Sequence, residues 1–132
     1  QTGDEIDRGH DDRKIIDLLE KLKREAKIAD GAVLAMTGNH EIMNAQADFR
    51  YVTPGAFNAF SDVPSRDDAT STKSIDAQSR GRFSAFAPGG QYAKIIADRP
   101  AIARVGDSIF VHGGVLPKHV RAGLDRINTE TR

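Results

Sequence analysis

A short apolar run that leads directly into a polar cluster constrains the fold of this chain more than any other feature. Residues 32–36 are all apolar, and Gly38, Asn39, His40 and Glu41 follow almost at once. An apolar run of this length predicts a strand buried on both faces, as in a parallel sheet. Ligands of open α/β sheets bind at the carboxyl ends of such strands. The sequence therefore predicts an α/β fold with a functional site directly after this strand.

Helices and a hairpin are predicted around this strand. Apolar residues recur at helical spacing before it and predict one buried helix face: Ile15, Leu18, Leu19, Leu22, Ala26 and Ala29. Residues 1–4 are interpreted as the end of another strand. Further along, the pattern predicts a short helix that Pro100 ends, a hairpin turning at Gly106 and Asp107, and a helix from Pro117.

Length and composition limit the classes of protein to consider. The chain has 132 residues, enough for one domain, with a polar, Ser/Thr/Asp/Arg-rich insertion at 61–82. Its net charge is zero, which gives no support for a nucleic-acid partner, and no apolar run is long enough to span a membrane. The absence of cysteine excludes thiolate chemistry and leaves the compartment open between cytoplasm and periplasm.

Three short motifs concentrate the side chains that are suited to chemistry. They are Gly-Asp-Glu-Ile-Asp-Arg-Gly at 3–9, Gly-Asn-His-Glu at 38–41 and His-Gly-Gly at 112–114. Aspartate, asparagine and histidine are ligands for hard to borderline divalent metals. The neighbouring glycines allow the backbone to approach a metal or a phosphate closely. Each motif alone is weak, but together they predict a metal and phosphate site.

In this order the motifs resemble those of the calcineurin-like metallophosphoesterase superfamily, in its phosphoprotein phosphatase branch. Phe-Ala-Pro-Gly-Gly at 86–90, Arg-Pro at 99–100, Val-Gly-Asp at 105–107 and Phe-Val-His-Gly-Gly at 110–114 are most similar to bacterial Shewanella-like protein phosphatases. The resemblance extends over essentially the whole chain. It implies an αββα sandwich, here as a single partial domain (1–132) that is incomplete at both ends.

The resemblance also implies a cofactor of two divalent metal ions, Mn, Fe or Zn. Asp4 would bridge the two ions, Asn39 would bind the second ion and contact the phosphate, and His112 would be another ligand of that ion. His40 would be the general acid that protonates the leaving alkoxide, with Asp7 accepting its other ring N–H.

Two further residues complete the implied site. Arg8 would grip the phosphate oxygens, and Glu41 would support the ligands from behind. An additional phosphate-binding arginine is expected, for which Arg80 and Arg82 are candidates, although a solvated loop arginine is the preferred interpretation of both. His10 and His119 are interpreted as surface residues.

The implied activity is hydrolysis of a phosphomonoester, on a serine/threonine-type phosphoprotein, by a hydroxide that bridges the two metals. The family's upstream Asp-x-His motif and a later histidine ligand do not occur in this sequence. We therefore expect the isolated chain to bind metal weakly and to be nearly inactive.

Two alternatives stay open. A symmetrical diadenosine-polyphosphate hydrolase shares the first two motifs, but the His-Gly-Gly at 112–114 favours the phosphatase. An inactive scaffold or binding module with the same fold is the other, and the intact set of Asp4, Asp7, Arg8 and His40 argues against it.

Overall fold

A computed structural model describes residues 1–65 and 75–132. Its elements are α1 (Asp12–Ile28), α2 (Asn39–Ala45), α3 (Pro54–Asn58), α4 (Arg80–Phe86), α5 (Gln91–Ala97), β1 (Ile102–Val105), β2 (Ser108–Val111), α6 (Pro117–Ala122) and α7 (Leu124–Thr131). Helices and one small sheet thus coexist in a single chain, which confirms the α/β class at this coarse level.

The first helix forms where the sequence predicts it, but it packs through a different face. Ile16 is fully buried, whereas Ile15, Leu18 and Leu22 of the predicted apolar face are exposed by 39%, 52% and 39%. The helix contacts the rest of the fold through Ile16, which belongs to the core, and through polar side chains. Asp17 accepts a hydrogen bond from the Tyr92 hydroxyl at 2.9 Å. The face of α1 that packs against the fold therefore combines the buried Ile16 with hydrogen-bonded polar residues and is not the predicted apolar stripe.

The predicted strand at 32–36 is not a regular strand. Ala35 and Met36 are buried as expected, and the Met36 N–H donates to the Gln1 carbonyl at 3.0 Å. The neighbouring Thr37 N–H donates to the Pro100 carbonyl, also at 3.0 Å. The Gln1 ammonium also donates to the Leu34 carbonyl at 3.1 Å, but among the described residues these bonds do not extend into a regular strand. Leu34 is 42% exposed, so the predicted burial of this strand on both faces is wrong. The segment still brings the first and second motifs side by side.

The predicted hairpin is confirmed. Strands β1 and β2 pair antiparallel, with Ile102 opposite Val111 and Val105 opposite Ser108. The two-residue turn requires a left-handed backbone, which Gly106 supplies with φ of 58°. The hairpin delivers its second strand directly into His112 at the third motif.

The later helices agree with the sequence in part. Helix α5 ends before Pro100, and α6 begins at Pro117, as predicted. Gly123, with φ of 87°, separates α6 from α7, a helix that was not predicted. The predicted insertion at 61–82 ends in the first turn of α4, because residues 80–82 are helical. The part of that insertion at 66–74 lies outside the described residues.

An aromatic cluster forms the core between α1, α4 and α5. Its buried members are Ile6, Ile16, Phe60, Ala85, Phe86, Tyr92 and Ile96. The Phe60 ring contacts Phe86 and Tyr92 edge-on, with centroids 5.3 and 5.1 Å apart. Such T-shaped contacts add to the burial term for aromatic pairs. This core lies directly behind the first motif through Ile6, so it anchors the loop that carries the candidate site.

Candidate active site

The first motif is a tightly bent loop. Gly3, Asp4, Asp7 and Arg8 all have left-handed backbones, with φ between 56° and 100°. Three of these four are not glycine, and left-handed backbone is unfavourable for residues with a Cβ. Strained backbone of this kind persists only where surrounding contacts hold it and is common at functional sites. The loop therefore holds its two aspartates in an unfavourable backbone conformation, which contacts with other parts of the fold must stabilise.

Glu41 supplies much of that balance. Its carboxylate accepts hydrogen bonds from the backbone N–H groups of Asp4 at 3.0 Å, Glu5 at 3.1 Å and Gly38 at 2.6 Å. The side chain is fully buried, and burial raises the pKa of the Glu41 carboxyl while these N–H donors oppose that rise. Glu41 thus joins the first motif to the second.

Three predicted metal ligands converge at the open end of this loop. The Asp4 Oδ2 atom lies 3.1 Å from His112 Nε2, and Asn39 Oδ1 lies 3.0 Å from the same nitrogen. Two donors that bind one ion at about 2.1 Å and at a right angle are roughly 3.0 Å apart. Each of the two oxygens therefore lies at the distance from His112 Nε2 that two ligands of one divalent cation have.

The hydrogen bond on the other side of the His112 ring strengthens this fit. The Thr2 carbonyl oxygen lies 3.1 Å from His112 Nδ1 and can only accept, so Nδ1 carries a proton. In the neutral ring Nε2 then turns a lone pair toward the oxygens of Asp4 and Asn39. Three electron-pair donors facing one another are stabilised by a cation placed among them. The donor set thus fits a metal ion.

This fit depends on Asn39. Among residues 1–65 and 75–132, no group of three or more histidine, aspartate or glutamate side chains is arranged to hold a metal ion. Asp4 and His112 supply two such donors, and the amide oxygen of Asn39 is the third. Of the predicted ligands, Asp4 alone is available for a first metal ion.

The predicted acid and its partner are also together. His40 Nδ1 lies 2.7 Å from Asp7 Oδ2, and the side chains are exposed by only 6% and 0%. A carboxylate accepts, so the Nδ1–H donates to Asp7 and Nε2 is directed to the other side of the ring, 3.9 Å from Asp4 Oδ2. The His40 backbone N–H donates to Asp4 Oδ1 at 3.1 Å. One network therefore contains both the predicted acid and the predicted bridging ligand.

Arg8 lies exposed at the mouth of the site on an aromatic support. Its guanidinium lies over the Tyr51 ring, 5.0 Å from the centroid, and its backbone N–H donates to the Tyr51 carbonyl at 3.0 Å. The same ring is 5.1 Å from the His40 ring. Tyr51 was not predicted as a site residue, because its neighbours in the sequence form no motif. Because Arg8 is exposed, an anion can reach its guanidinium.

The two candidate phosphate-binding arginines, Arg80 and Arg82, differ in their exposure to solvent. Arg80 is exposed, as the preferred interpretation predicts, but it is the first residue of α4 and does not lie in a loop. Arg82 is completely buried, so both the phosphate-binding role and the solvated-loop interpretation of this residue are wrong. Burial in a carboxylate-lined pocket separates it from solvent and from any ligand, and this desolvation lowers the pKa of its guanidinium.

Space for a ligand is present beside the converging donors. An open cavity of about 330 Å³ is lined by Asn39, His112, Gly113 and residues near them. His10 is exposed and pairs with Thr53 at 2.8 Å, while His119 is half-buried and accepts from the Leu116 N–H at 3.2 Å. Neither of these histidines has a contact with the three donors, as expected. No helix in the described parts of the chain is long and apolar enough to cross a membrane.

Comparison with known proteins agrees with the motifs. No family model matches the chain. Shewanella-like protein phosphatase 2 of Arabidopsis thaliana is 40% identical over all of this chain and 41% of its own length. Shewanella-like protein phosphatase 1 of Plasmodium berghei is 32% identical over all of this chain and 33% of its own length. The chain thus spans well under half the length of these relatives, and the predicted bacterial origin stays a prediction.

A solved structure shows the same fold. The crystal structure of a mutant cold-active protein tyrosine phosphatase superposes with a TM-score of 0.76, over 98% of this chain and 35% of that one, at 24% identity. At this identity the likeness concerns the fold alone. The sequence relatives establish the rest: this chain is homologous over its whole length to part of the Shewanella-like protein phosphatases, as its motifs predict.

Proposed function

We propose that this chain is part of a metal-dependent phosphomonoester hydrolase that acts on phosphoproteins. The observation that carries the proposal is the convergence of Asp4 and Asn39 on His112. Their oxygens lie 3.1 and 3.0 Å from His112 Nε2, next to the His40–Asp7 pair. The names of the two relatives support a protein phosphatase rather than another hydrolase.

The residues present are suited to at least one divalent ion, Mn, Fe or Zn. Asp4, Asn39 and His112 would hold it, and the Asp4 carboxylate has a second oxygen with which to bridge to another ion. Divalent ions in such a site supply Lewis acidity and a nucleophilic oxygen at neutral pH. The absence of cysteine agrees with a mechanism that needs no thiolate nucleophile.

The chain's own residues have separate tasks in this proposal. Arg8, held over Tyr51, would bind equatorial phosphate oxygens through its planar fork of donors. His40 would take up a proton on Nε2, opposite the Nδ1–H that Asp7 holds, and would give that proton to the leaving alkoxide. Asp7 would keep the ring in the orientation that this transfer needs and would stabilise the imidazolium.

The same proposal includes the finer fold and the substrate. We expect the described elements to be part of an αββα sandwich. Serine/threonine-type phosphoproteins are the substrates that the motifs favour. The structural neighbour is named as a protein tyrosine phosphatase, and phosphotyrosine is therefore the second substrate to test.

A substrate panel tests the proposal. The full-length protein containing this chain is purified without metal, reloaded with Mn²⁺, and assayed on an aryl phosphate, on phosphoserine and phosphotyrosine peptides, and on a diadenosine polyphosphate. Metal-dependent release of phosphate from peptides is expected. Preferential cleavage of the dinucleotide would favour the alternative hydrolase, and no turnover of any substrate would favour an inactive scaffold.

The isolated 132-residue chain provides a second test. We expect weak metal binding and almost no turnover, because Asp4 is the sole predicted ligand for a first ion. Robust hydrolysis of the aryl phosphate by this chain alone would contradict that expectation.

A further inference from the structure

A buried polar cluster lies behind the His40–Asp7 pair, and the proposed function does not use it. It consists of Arg82, Asn44 and Asp12, each exposed by 1% or less. A charged side chain is seldom buried in this way unless it is fully paired. Two buried charged side chains and one buried amide packed against Asp7 therefore call for an explanation in terms of that carboxylate.

The cluster holds both oxygens of Asp7. Asp7 Oδ1 accepts from Arg82 Nη2 at 3.0 Å and from Asn44 Nδ2 at 3.1 Å. Asp7 Oδ2 is the atom that accepts from His40 Nδ1 at 2.7 Å. With Oδ1 occupied on the far side, the carboxylate cannot rotate without losing the charged hydrogen bond to Arg82. The hydrogen bonds to Oδ1, on the side away from His40, therefore fix the orientation of the Asp7 carboxylate.

Arg82 is itself fixed by groups from three other segments. Its Nε–H donates to Asn44 Oδ1 at 2.7 Å, its Nη1 donates to the Ala56 carbonyl at 3.3 Å, and its Nη2 lies 2.8 Å from Asp12 Oδ2. The guanidinium also lies 5.3 Å from the Phe60 ring centroid. A planar fork can reach all of these groups at once, whereas a lysine ammonium cannot.

Charge balance gives the cluster a second effect. Asp7 and Asp12 are both buried carboxylates, and the Asp7 backbone N–H donates to Asp12 Oδ2 at 3.1 Å. Arg82 is the cation that lies against both of them. Without it, two buried carboxylates would face each other with no cation between them, and their repulsion would displace Asp7. That displacement would remove the fixed acceptor of His40.

We propose that Arg82 is a positioning residue that, through Asp7, holds the His40 ring in the Nδ1–H tautomer with Nε2 facing the site. The catalytic consequence rests on the proposed function, in which His40 is the acid. The tautomer itself does not depend on any activity. Asn44 also helps to hold Asp7 in place, because its amide bonds to both Arg82 and Asp7.

The first readout is the His40 ring. The full-length protein is labelled with ¹⁵N-histidine, and the His40 signals are assigned by their loss in His40→Asn. We expect a pyrrole-type Nδ1 and a pyridine-type Nε2 in the wild type. Arg82→Met should give averaged ring nitrogens, and Arg82→Lys should give at most partial rescue. Arg80→Met, on the same helix but exposed, should match the wild type.

The second readout is the dependence on the leaving group. An alkyl phosphate needs protonation of its leaving oxygen, whereas an activated aryl phosphate scarcely does. Arg82→Met should lower kcat for the alkyl phosphate by about tenfold or more, with KM and the aryl phosphate rate much less changed. A merely structural role would lower the rates of both substrates together.

A third readout uses the wild-type protein and remains decisive if the Arg82 variants fail to fold. The Arg82 Nε–H should be protected from exchange with solvent to the same extent as the His40 Nδ1–H. A rapidly exchanging Arg82 side chain overturns the inference, as does a wild-type His40 ring pattern in folded Arg82→Met. If the wild type is inactive but its His40 nitrogens have the expected signals, the proposed function is wrong and the inference about the tautomer is supported.

Discussion

Glu41 accepts a hydrogen bond from the backbone N–H of Asp4 at 3.0 Å, although the two residues lie 37 positions apart along the chain. The same carboxylate reaches the N–H groups of Glu5 and Gly38. One buried side chain thus satisfies three backbone donors and holds the strained first motif against the start of α2. An acidic residue three positions into a helix commonly reaches back to the N–H of the residue before the helix. The Glu41 carboxylate also accepts from N–H groups of the first motif, so it binds two motifs at once.

The first prediction concerns this contact. Glu41→Gln replaces one acceptor oxygen by an NH₂ group, which must face a backbone N–H donor. We expect the free energy of unfolding to fall by about 1–3 kcal/mol, because a buried donor loses its partner. Urea denaturation of the variant and the wild type measures the change. Glu25→Gln, on the exposed side of α1, is the control and should change stability by less than about 0.5 kcal/mol. Equal effects of the two substitutions would contradict the prediction.

The second prediction concerns the close approach of Gly38 to Asp4. A Cβ at Gly38 would overlap the Asp4 carboxylate and would lie 2.7 Å from the Asp4 backbone nitrogen. Because a backbone atom cannot move aside as a flexible side chain can, Gly38→Ala should cost roughly 1–3 kcal/mol of stability. It should also displace Asp4 and weaken Mn²⁺ binding.

Gly113→Ala is the matched control for this substitution. An added Cβ at Gly113 would have no atom within 4 Å among the described residues, so stability should be almost unchanged. Thermal unfolding followed by circular dichroism compares the two variants. A Gly38→Ala protein as stable as Gly113→Ala would show that the two motifs do not approach each other this closely.

The resemblance of the motifs implied Asp4, Asn39 and His112 as metal ligands, and the residue pattern added the prediction that each follows a strand segment. Among the described residues, only His112 of these three directly follows a regular strand. The convergence of the three residues needs only that the segments before them end at the same edge. The surroundings of Arg82 could not be derived in this way. Arg82 closes a predicted polar insertion, which favours solvent exposure, while its partners Asp7, Asp12, Asn44 and Ala56 come from distant segments. Pairing with partners far along the chain leaves no periodic signal.

The packing of α1 illustrates the same limit. Periodicity predicts that one helix face is apolar, and that face exists in the sequence. It does not predict which face the rest of the chain covers. Hydrogen bonds of Arg13 to the Ala59 carbonyl at 2.9 Å and of Tyr92 to Asp17 dock a largely polar face instead. Together with the buried Ile16, these contacts define the packed face, and local pattern carries no information about such partners.

The third prediction concerns Tyr51, which supports Arg8 and contacts His40. Removing the ring in Tyr51→Ala should release the Arg8 guanidinium from its cation–π contact, worth about 0.5–1 kcal/mol at an exposed site. We expect the KM for a phosphopeptide to rise about two- to fivefold. Tyr51→Phe keeps the ring and should leave KM almost unchanged. Steady-state kinetics of the full-length protein with Mn²⁺ provides the measurement, and an equal rise in both variants would assign the effect to the hydroxyl instead.

The fourth prediction concerns the metal. His112→Ala removes one of three converging donors, so Mn²⁺ affinity of the full-length protein should fall by about tenfold or more. His119→Ala, a histidine without contact to the donors, should leave the affinity unchanged. Isothermal titration calorimetry on metal-free protein compares the two. Binding should also weaken as the pH falls, because an imidazole ligand must be unprotonated to bind. If His112→Ala binds Mn²⁺ as tightly as the wild type, the ion is held elsewhere and the convergence of Asp4, Asn39 and His112 has another cause.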